Sequence, residues 1–330
     1  MSEILDELRG RIDSLDAHLH DLLMERAAIV AKIGAEKKRA GLPSVQPARE
    51  FRVIRRLLRR HRGALPPTVL VRVWRELIGA AGSLQADLRA VACITNEKSQ
   101  VLWDMARDYF GSTVPVQRVA NPLTAISQVR EGECAFAIMP WPEDGDENPW
   151  WSYLDGDDAG RAPLRIVMRL PFMDRAGQAP DPVHLGLIVA RVAFEETGED
   201  RSFLLMDADH SLSRARIVSV AKEAGFTPLS VHSRRSGGPN APARHLLEVE
   251  GYAAPDLVGA FEKKLEDSAV RLLCVGGYPV PPVFEVTAQG EGAIGQILSI
   301  QAPPAQAPSA PQPSLAPEAS REDASARANS

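Results

Sequence analysis

The sequence predicts a multidomain chain: an N-terminal all-α unit of three helices, a partial α/β lobe, and an α+β unit with the pattern β-α-β-β-α-β. Three observations carry this. Residues 3 to 87 have helical periodicity and almost no strand signal, broken at "AGLPSV" (40 to 45) and "GALPPT" (63 to 68). From "LRAVACIT" (88 to 95) short apolar runs alternate with amphipathic segments, the texture of strands layered with helices. Residues 201 to 282 run strand, helix, two strands, helix, strand.

Taken in order, the first unit spans 1–87, with helices near 3 to 39, 47 to 62 and 67 to 87. The α/β lobe spans 88–195, built from "EKSQVLWDMARDYFG", "VPVQRVA", "NPLTAISQVREGE" and "CAFAIMP" and, beyond an acidic tryptophan-bearing loop, "PLRIVMRL" and "VHLGLIVARVA". The loop's carboxylates have no fixed ligand spacing, so it reads as a solvated insertion rather than a cation site. A polar linker, "FEETGED", leads to 201–282, where "RSFLLMDA", "SLSRARIVSVAKEAG", "FTPLSVHSRR", "RHLLEVEGY", "APDLVGAFEKKLEDSA" and "VRLLCVGGYP" give a ferredoxin-like order of elements. "VGGYPVPP" reads as a Gly-rich loop without the strand-to-helix setting of a phosphate loop. The Pro/Ala/Ser-rich tail, 301–330, reads as disordered.

Composition bounds the function. The chain has 330 residues, 45% hydrophobic, enough for several cores, and a net charge of -5 that argues against a nucleic-acid partner. Basic residues concentrate in the first 75 residues. Cys93, Cys134 and Cys274 show no metal-ligand spacing and suit a reducing compartment. His184, His210 and His232 stand in no fixed relation to one another. No signal-peptide pattern opens the chain, and no run of about 18 apolar residues marks a membrane span. The expectation is a soluble cytoplasmic protein without membrane, metal or cofactor.

The informative residues are polar groups on apolar helix faces. With about 100° per residue, Leu8, Ile12, Leu15, Leu19, Leu22, Ile29 and Ile33 share one face of the first helix. Arg26 falls near its centre, with Lys37 about 20° away. On the second helix Ile54, Leu57, Leu58 and His61 mark the inner face, with Glu50 central, Gln46 one turn earlier and Arg49 at the edge. On the third, Leu70, Val73, Leu77, Ala81 and Leu84 form the stripe, with Gln85 at its margin. A buried guanidinium needs a carboxylate. Since cations predominate, these faces point to a small anionic ligand inside the bundle. Arg26 and Lys37, roughly 16 Å apart along the axis, can close on one compact molecule, whereas Arg9, roughly 25 Å from Arg26, can reach such a site only in an antiparallel second subunit.

On "LRGRIDSLDAHLHDLLMERAAIVAKIGAEK", "PAREFRVI" and "VWRELIGAAGSLQ", residues 4 to 87 resemble the all-helical chorismate mutases. The resemblance implies an intertwined homodimer that converts chorismate to prephenate in aromatic amino acid biosynthesis, with Arg9 contributed to the partner's site. It implies that Arg26 binds a carboxylate, that Lys37 and Gln85 address the ether oxygen, and that Glu50, beside Arg49, holds the substrate hydroxyl. Ala81 stands where a serine is frequent and Gln46 where an aspartate can occur. The alternatives are a non-catalytic regulator that senses a metabolite or binds a partner, a lyase acting on isochorismate, and a bifunctional enzyme that retains dehydratase activity.

The order of the later segments is similar to the bifunctional chorismate mutase/prephenate dehydratases, with 88–195 as a degenerate dehydratase-like lobe and 201–282 as an ACT-like domain. The chemical motifs are missing. "NEKSQV" (Asn96 to Val101) stands in place of Gly-Pro-Glu-Gly-Thr-Phe, and His184, Leu185 and Gly186 in place of Thr-Arg-Phe. Much of a second lobe is absent as well, so dehydration of prephenate is not expected. In the ACT-like part, His210, Ser211 and Leu212 replace Gly-Ala-Leu, and His232, Ser233, Arg234 and Arg235 replace Glu-Ser-Arg-Pro. An aromatic amino acid is therefore at most a weak effector, and a structural or dimerising role is favoured.

Overall fold

A computed structural model describes residues 2–146, 148–156, 160–209, 212–235, 243–265, 269–285 and 297–299. The tail from 301, and His210 and Ser211 of the ACT-like signature, lie outside the described residues. The chain opens with α1 (Ser2–Arg39), α2 (Pro47–Arg60) and α3 (Pro67–Gln85). Proline in the first turn starts α2 and α3, where its missing N–H costs no helical bond. The turns between them pass through Gly41 and Gly63, both at positive φ.

The remaining elements build one nine-stranded mixed sheet. β1 (Ala90–Cys93), α4 (Val101–Phe110), β2 (Val116–Val119), α5 (Pro122–Glu131) and β3 (Phe136–Pro140) form two parallel crossovers, with β1 between β2 and β3. After the acidic loop come β4 (Arg165–Leu170), the short β5 (Asp174–Arg175) and β6 (Gly186–Ala190). β6 inserts antiparallel between β3 and β4. Then β7 (Asp200–Ala208), α6 (Arg214–Glu223), β8 (Pro228–Arg235), β9 (Ala243–Glu250), α7 (Pro255–Leu265) and β10 (Ala269–Pro279) supply the β-α-β-β-α-β unit. Its strands lie in the order β10-β7-β9-β8, the fourth-first-third-second arrangement that this connectivity produces when each helix returns across its own sheet. β11 (Val283–Phe284) pairs with β5 and with β12 (Ile297–Ser299) in a small separate sheet.

Two sheets become one because β10 pairs in parallel with β4 at Gly276 and Ile166. The Gly-rich run expected as a loop is in fact the end of β10. Gly276 has φ +105°, and a Cβ there would lie 2.1 Å from the Ile166 carbonyl oxygen. Glycine lets the strand shift register while keeping contact with β4.

The packing of the first three helices differs from the stripes drawn on the sequence. Phe51, Ile54 and Leu58 of α2 and Leu70 and Val71 of α3 share one core with Tyr109, Phe110, Phe136 and Phe172 of the lobe. That core crosses residue 87 without a break. Of the expected α3 stripe, Leu70 and Ala81 are buried and Leu77 half-buried, but Val73 and Leu84 are exposed, because α3 also turns Val71, Arg75 and Gly79 inward. The apolar face of α1 is also uncovered within one chain: Leu8, Ile12, Leu15, Leu19, Leu22 and Ile29 are 47–61% exposed. The helix is about 57 Å long and reaches well past α3, and among the described residues no element of its own chain covers that face. Among the described residues no helix is long and apolar enough to cross a membrane.

The seam at Gly276 yields a stability test. Gly276→Ala should destabilise the chain by about 2–4 kcal/mol, read as a lower urea midpoint; an unchanged midpoint would contradict the close approach of β10 to β4.

Candidate functional site

α1 and α3 meet along the inner half of α1. Arg26 Nη1 donates to the Leu77 carbonyl at 3.4 Å. Eight residues further along both helices, Gly34 faces Gln85 so closely that a Cβ would lie 2.7 Å from Gln85 Cγ. Equal advance on both helices means that α1 and α3 run parallel, with α2 returning between them. Ala81, buried on α3, sits between these two contacts. The Oε1 atom of Gln85 is buried without a hydrogen-bond partner among the described residues. Rotating the amide by half a turn would offer a donor in the same place.

The other predicted residues gather where α1 turns into α2. Lys37 Nζ donates to the Ser44 carbonyl at 2.9 Å. Burial lowers the Lys37 pKa; the nearby Glu50 carboxylate opposes that shift and Arg49 adds to it. Arg26 is lowered by burial as well. Both cations are thus half withdrawn from water and meet carbonyl oxygens; among the described residues neither has a carboxylate within ion-pair distance. Gln46 immediately precedes α2 and makes no side-chain cap bond to it, and Arg49 is exposed at the rim. Arg9 is the residue this chain does not bring to the site: it stands far out on α1, 73% exposed, paired with Asp6 at 3.2 Å.

Glu50 has a partner that the sequence stripes did not identify. Its Oε2 lies 3.1 Å from Arg75 Nη1, and the Arg75 side chain is 3% exposed. Arg75 falls on the line Val71–Arg75–Gly79, spaced four residues apart. The rule that singled out Arg26, a charge on an apolar face, would have found it had the α3 stripe been drawn through Val71 rather than Val73. α2 is anchored by a second missed group, Arg55, which is buried and donates to the Thr197 carbonyl. The Asp200 carboxylate holds that segment in place by accepting from Thr197 N and Oγ1, each at 2.7 Å. The polar linker is therefore docked on α2, with Arg52 bonded to Glu195 at 2.8 Å.

A separate cleft of about 1020 Å³ opens at the carboxyl ends of β1, β2 and β3, the switch point where open α/β sheets commonly hold ligands. Its charged lining is Glu97, Lys98, Glu143, Asp144 and Asp146. The "NEKSQV" segment forms a capping turn there: Ser99 N donates to Asn96 Oδ1 and Asn96 N to Ser99 Oγ, both at 3.0 Å.

Residues 8–86 match the family chorismate mutase type II, a span that contains every predicted site residue. A bifunctional chorismate mutase/prephenate dehydratase of Aquifex aeolicus is 34% identical over 142 residues, covering 42% of this chain and 39% of that protein. The corresponding protein of Pseudomonas aeruginosa is 31% identical over 296 residues, covering 84% of this chain and 74% of that one. Among solved structures, a prephenate dehydratase from Arthrobacter aurescens in complex with L-Phe is 14% identical with a TM-score of 0.41, over 58% of this chain and 90% of that chain. Similar to the Pseudomonas protein across both the helical unit and the sheet that follows it, the chain belongs to the bifunctional chorismate mutase/prephenate dehydratase family.

Proposed function

We propose that this chain is a chorismate mutase, converting chorismate to prephenate in aromatic amino acid biosynthesis, and that it works as an intertwined dimer. The carrying observation is that Arg26 and Lys37 are drawn out of water and rest on carbonyl oxygens, with no carboxylate within ion-pair distance among the described residues. A dicarboxylate substrate supplies the missing counter-charge. The rearrangement is unimolecular and needs no nucleophile, so catalysis consists of holding the compact conformer and stabilising charge on the ether oxygen as the C–O bond breaks. Arg26, with Arg9 of the partner subunit, fixes the carboxylates; Arg49 adds positive potential at the rim. Lys37 and Gln85 face the ether oxygen, and Glu50 accepts from the substrate hydroxyl. Ala81 and Gln46 shape the walls.

The dimer reading is supported by the uncovered face of α1. Leu8, Ile12, Leu15, Leu19 and Leu22 form a continuous apolar stripe, and a second α1 laid antiparallel would cover it and carry Arg9 toward the other subunit's Arg26. A reducing, cytoplasmic setting fits Cys93, Cys134 and Cys274, all free thiols, with burial raising the Cys93 pKa to about 12.

Dehydratase activity is not part of this reading. Glu97, Glu143 and Asp146 line the cleft of the lobe against one lysine, with Asp144 already answered by Arg214, an acidic balance that repels a dicarboxylate such as prephenate. The β-α-β-β-α-β unit serves as an ACT-like structural domain. Its β8 is committed to the acidic loop: Ser233 Oγ accepts from Arg214 Nε at 2.8 Å, and Arg214 in turn binds both oxygens of Asp144 at 3.0 Å. Arg244 ties the same loop through Asp155 at 3.0 Å. An aromatic amino acid would have to displace such contacts, which leaves it at most a weak effector.

Purified protein should deplete chorismate absorbance and form prephenate without phenylpyruvate or pyruvate. Arg26→Ala should lower kcat/KM by about 10²–10³ or more; an unchanged rate would sink the assignment. The pH dependence follows from Lys37, whose charge is lost as pH rises through a pKa that burial sets below the ordinary lysine value. Activity should therefore fall on an alkaline limb, and Lys37→Arg, which stays charged, should remove that limb from whatever activity remains. A limb at the same pH in Lys37→Arg would rule out Lys37 as its source.

A further inference from the structure

We propose that Arg75 is a positioning residue of the mutase site, holding the Glu50 carboxylate from a footing in the α/β lobe. The inference rests on the mutase reading above and assigns a role to a residue outside the set predicted for the site.

Arg75 is fixed on three sides. Nη1 meets Glu50 Oε2 of α2 at 3.1 Å, Nε donates to the Tyr109 carbonyl at 2.6 Å, and the guanidinium carbon lies 3.6 Å from the centroid of the Tyr109 ring. Tyr109 lies in the last turn of α4, where carbonyls have no intrahelical partner and the helix end favours a cation. That helix end cannot drift from α3. At Gly79 the two run so close that a Cβ would lie 2.1 Å from the Phe110 carbonyl oxygen. Next to it, Glu76 Oε2 accepts from Ser112 N at 2.9 Å and from Ser112 Oγ at 3.0 Å. The planar guanidinium therefore has one orientation, and Glu50 takes its position from it.

The consequence for the reaction lies in what Glu50 would otherwise do. Lys37 is close enough for Glu50 to influence its charge. Released from Arg75, the carboxylate would turn to Lys37 and neutralise the cation that the ether oxygen needs. Held by Arg75 through Oε2, it keeps Oε1 for the substrate hydroxyl and leaves Lys37 on the Ser44 carbonyl, ready for the ligand. Arg75 thereby makes the mutase site depend on α4 of the following lobe.

The test is a double-mutant cycle in the full chain. Arg75→Met should lower kcat/KM for chorismate about 100-fold, with both a higher KM and a lower kcat, and Arg75→Lys should recover at least about tenfold of that loss. Glu50→Gln/Arg75→Met should be no slower than Glu50→Gln alone, because Arg75 acts through Glu50. Losses that multiply in the double variant would overturn the proposal, as would Arg75→Lys no faster than Arg75→Met. Should Arg75→Met fail to fold, the double variant decides, since it buries no unanswered charge: a rate equal to Glu50→Gln supports the role, and one at least about tenfold lower overturns it. Wild-type protein that leaves chorismate unchanged would instead remove the mutase reading and this proposal together.

Discussion

A charge drawn out of water must be answered, and in this protein the answers are distributed unevenly. Glu50 is given Arg75, and Asp200 is given the Thr197 hydroxyl and backbone amides. Arg26 and Lys37 are given carbonyl oxygens. A carbonyl can hold a cation in place without cancelling its charge. Two half-buried cations so treated make a seam that gains from binding an anion with two carboxylates. On the proposed reading, the two carboxylates of chorismate redress that imbalance.

The same constraint explains why the helical unit and the lobe do not part at residue 87. α2 and α3 do not bury their inner faces on each other alone. Their inner faces close instead on Tyr109, Phe110 and Phe172 in a common core, and the buried Arg55 and Arg75 each donate to a carbonyl of the following segments. The lobe's cleft carries an acidic lining, while its α4 holds α3 through Arg75 and the docked linker holds α2 through Arg52 and Arg55.

Much of this was legible in the sequence. Helical period and the Pro/Gly breaks located α1, α2 and α3, and alternation located the strands from β1 to β10 except the two-residue β5. Arg26 and Lys37 stood out because a charge on an apolar face is costly. What stayed hidden has physical causes. The strand order, with β6 between β3 and β4 and β10 joined to β4, depends on long-range pairing that no local pattern encodes. Arg75 was missed because α3 has two apolar stripes, and the one through Val73 and Leu84 faces outward within the chain. The linker "FEETGED" read as polar and solvated because its docking uses the Thr197 backbone carbonyl, which every residue possesses.

The central claim is that one substrate molecule is held by Arg26 of one chain and Arg9 of the other, and a heterodimer tests it directly. Arg9→Ala and Arg26→Ala chains, co-expressed with different tags and purified through both, would contain one site with both arginines and one with neither. The account predicts two inactive homodimers and a heterodimer with about half the wild-type rate. A heterodimer as inactive as its parents would contradict it, since Arg9 and Arg26 would then serve the same chain or different molecules.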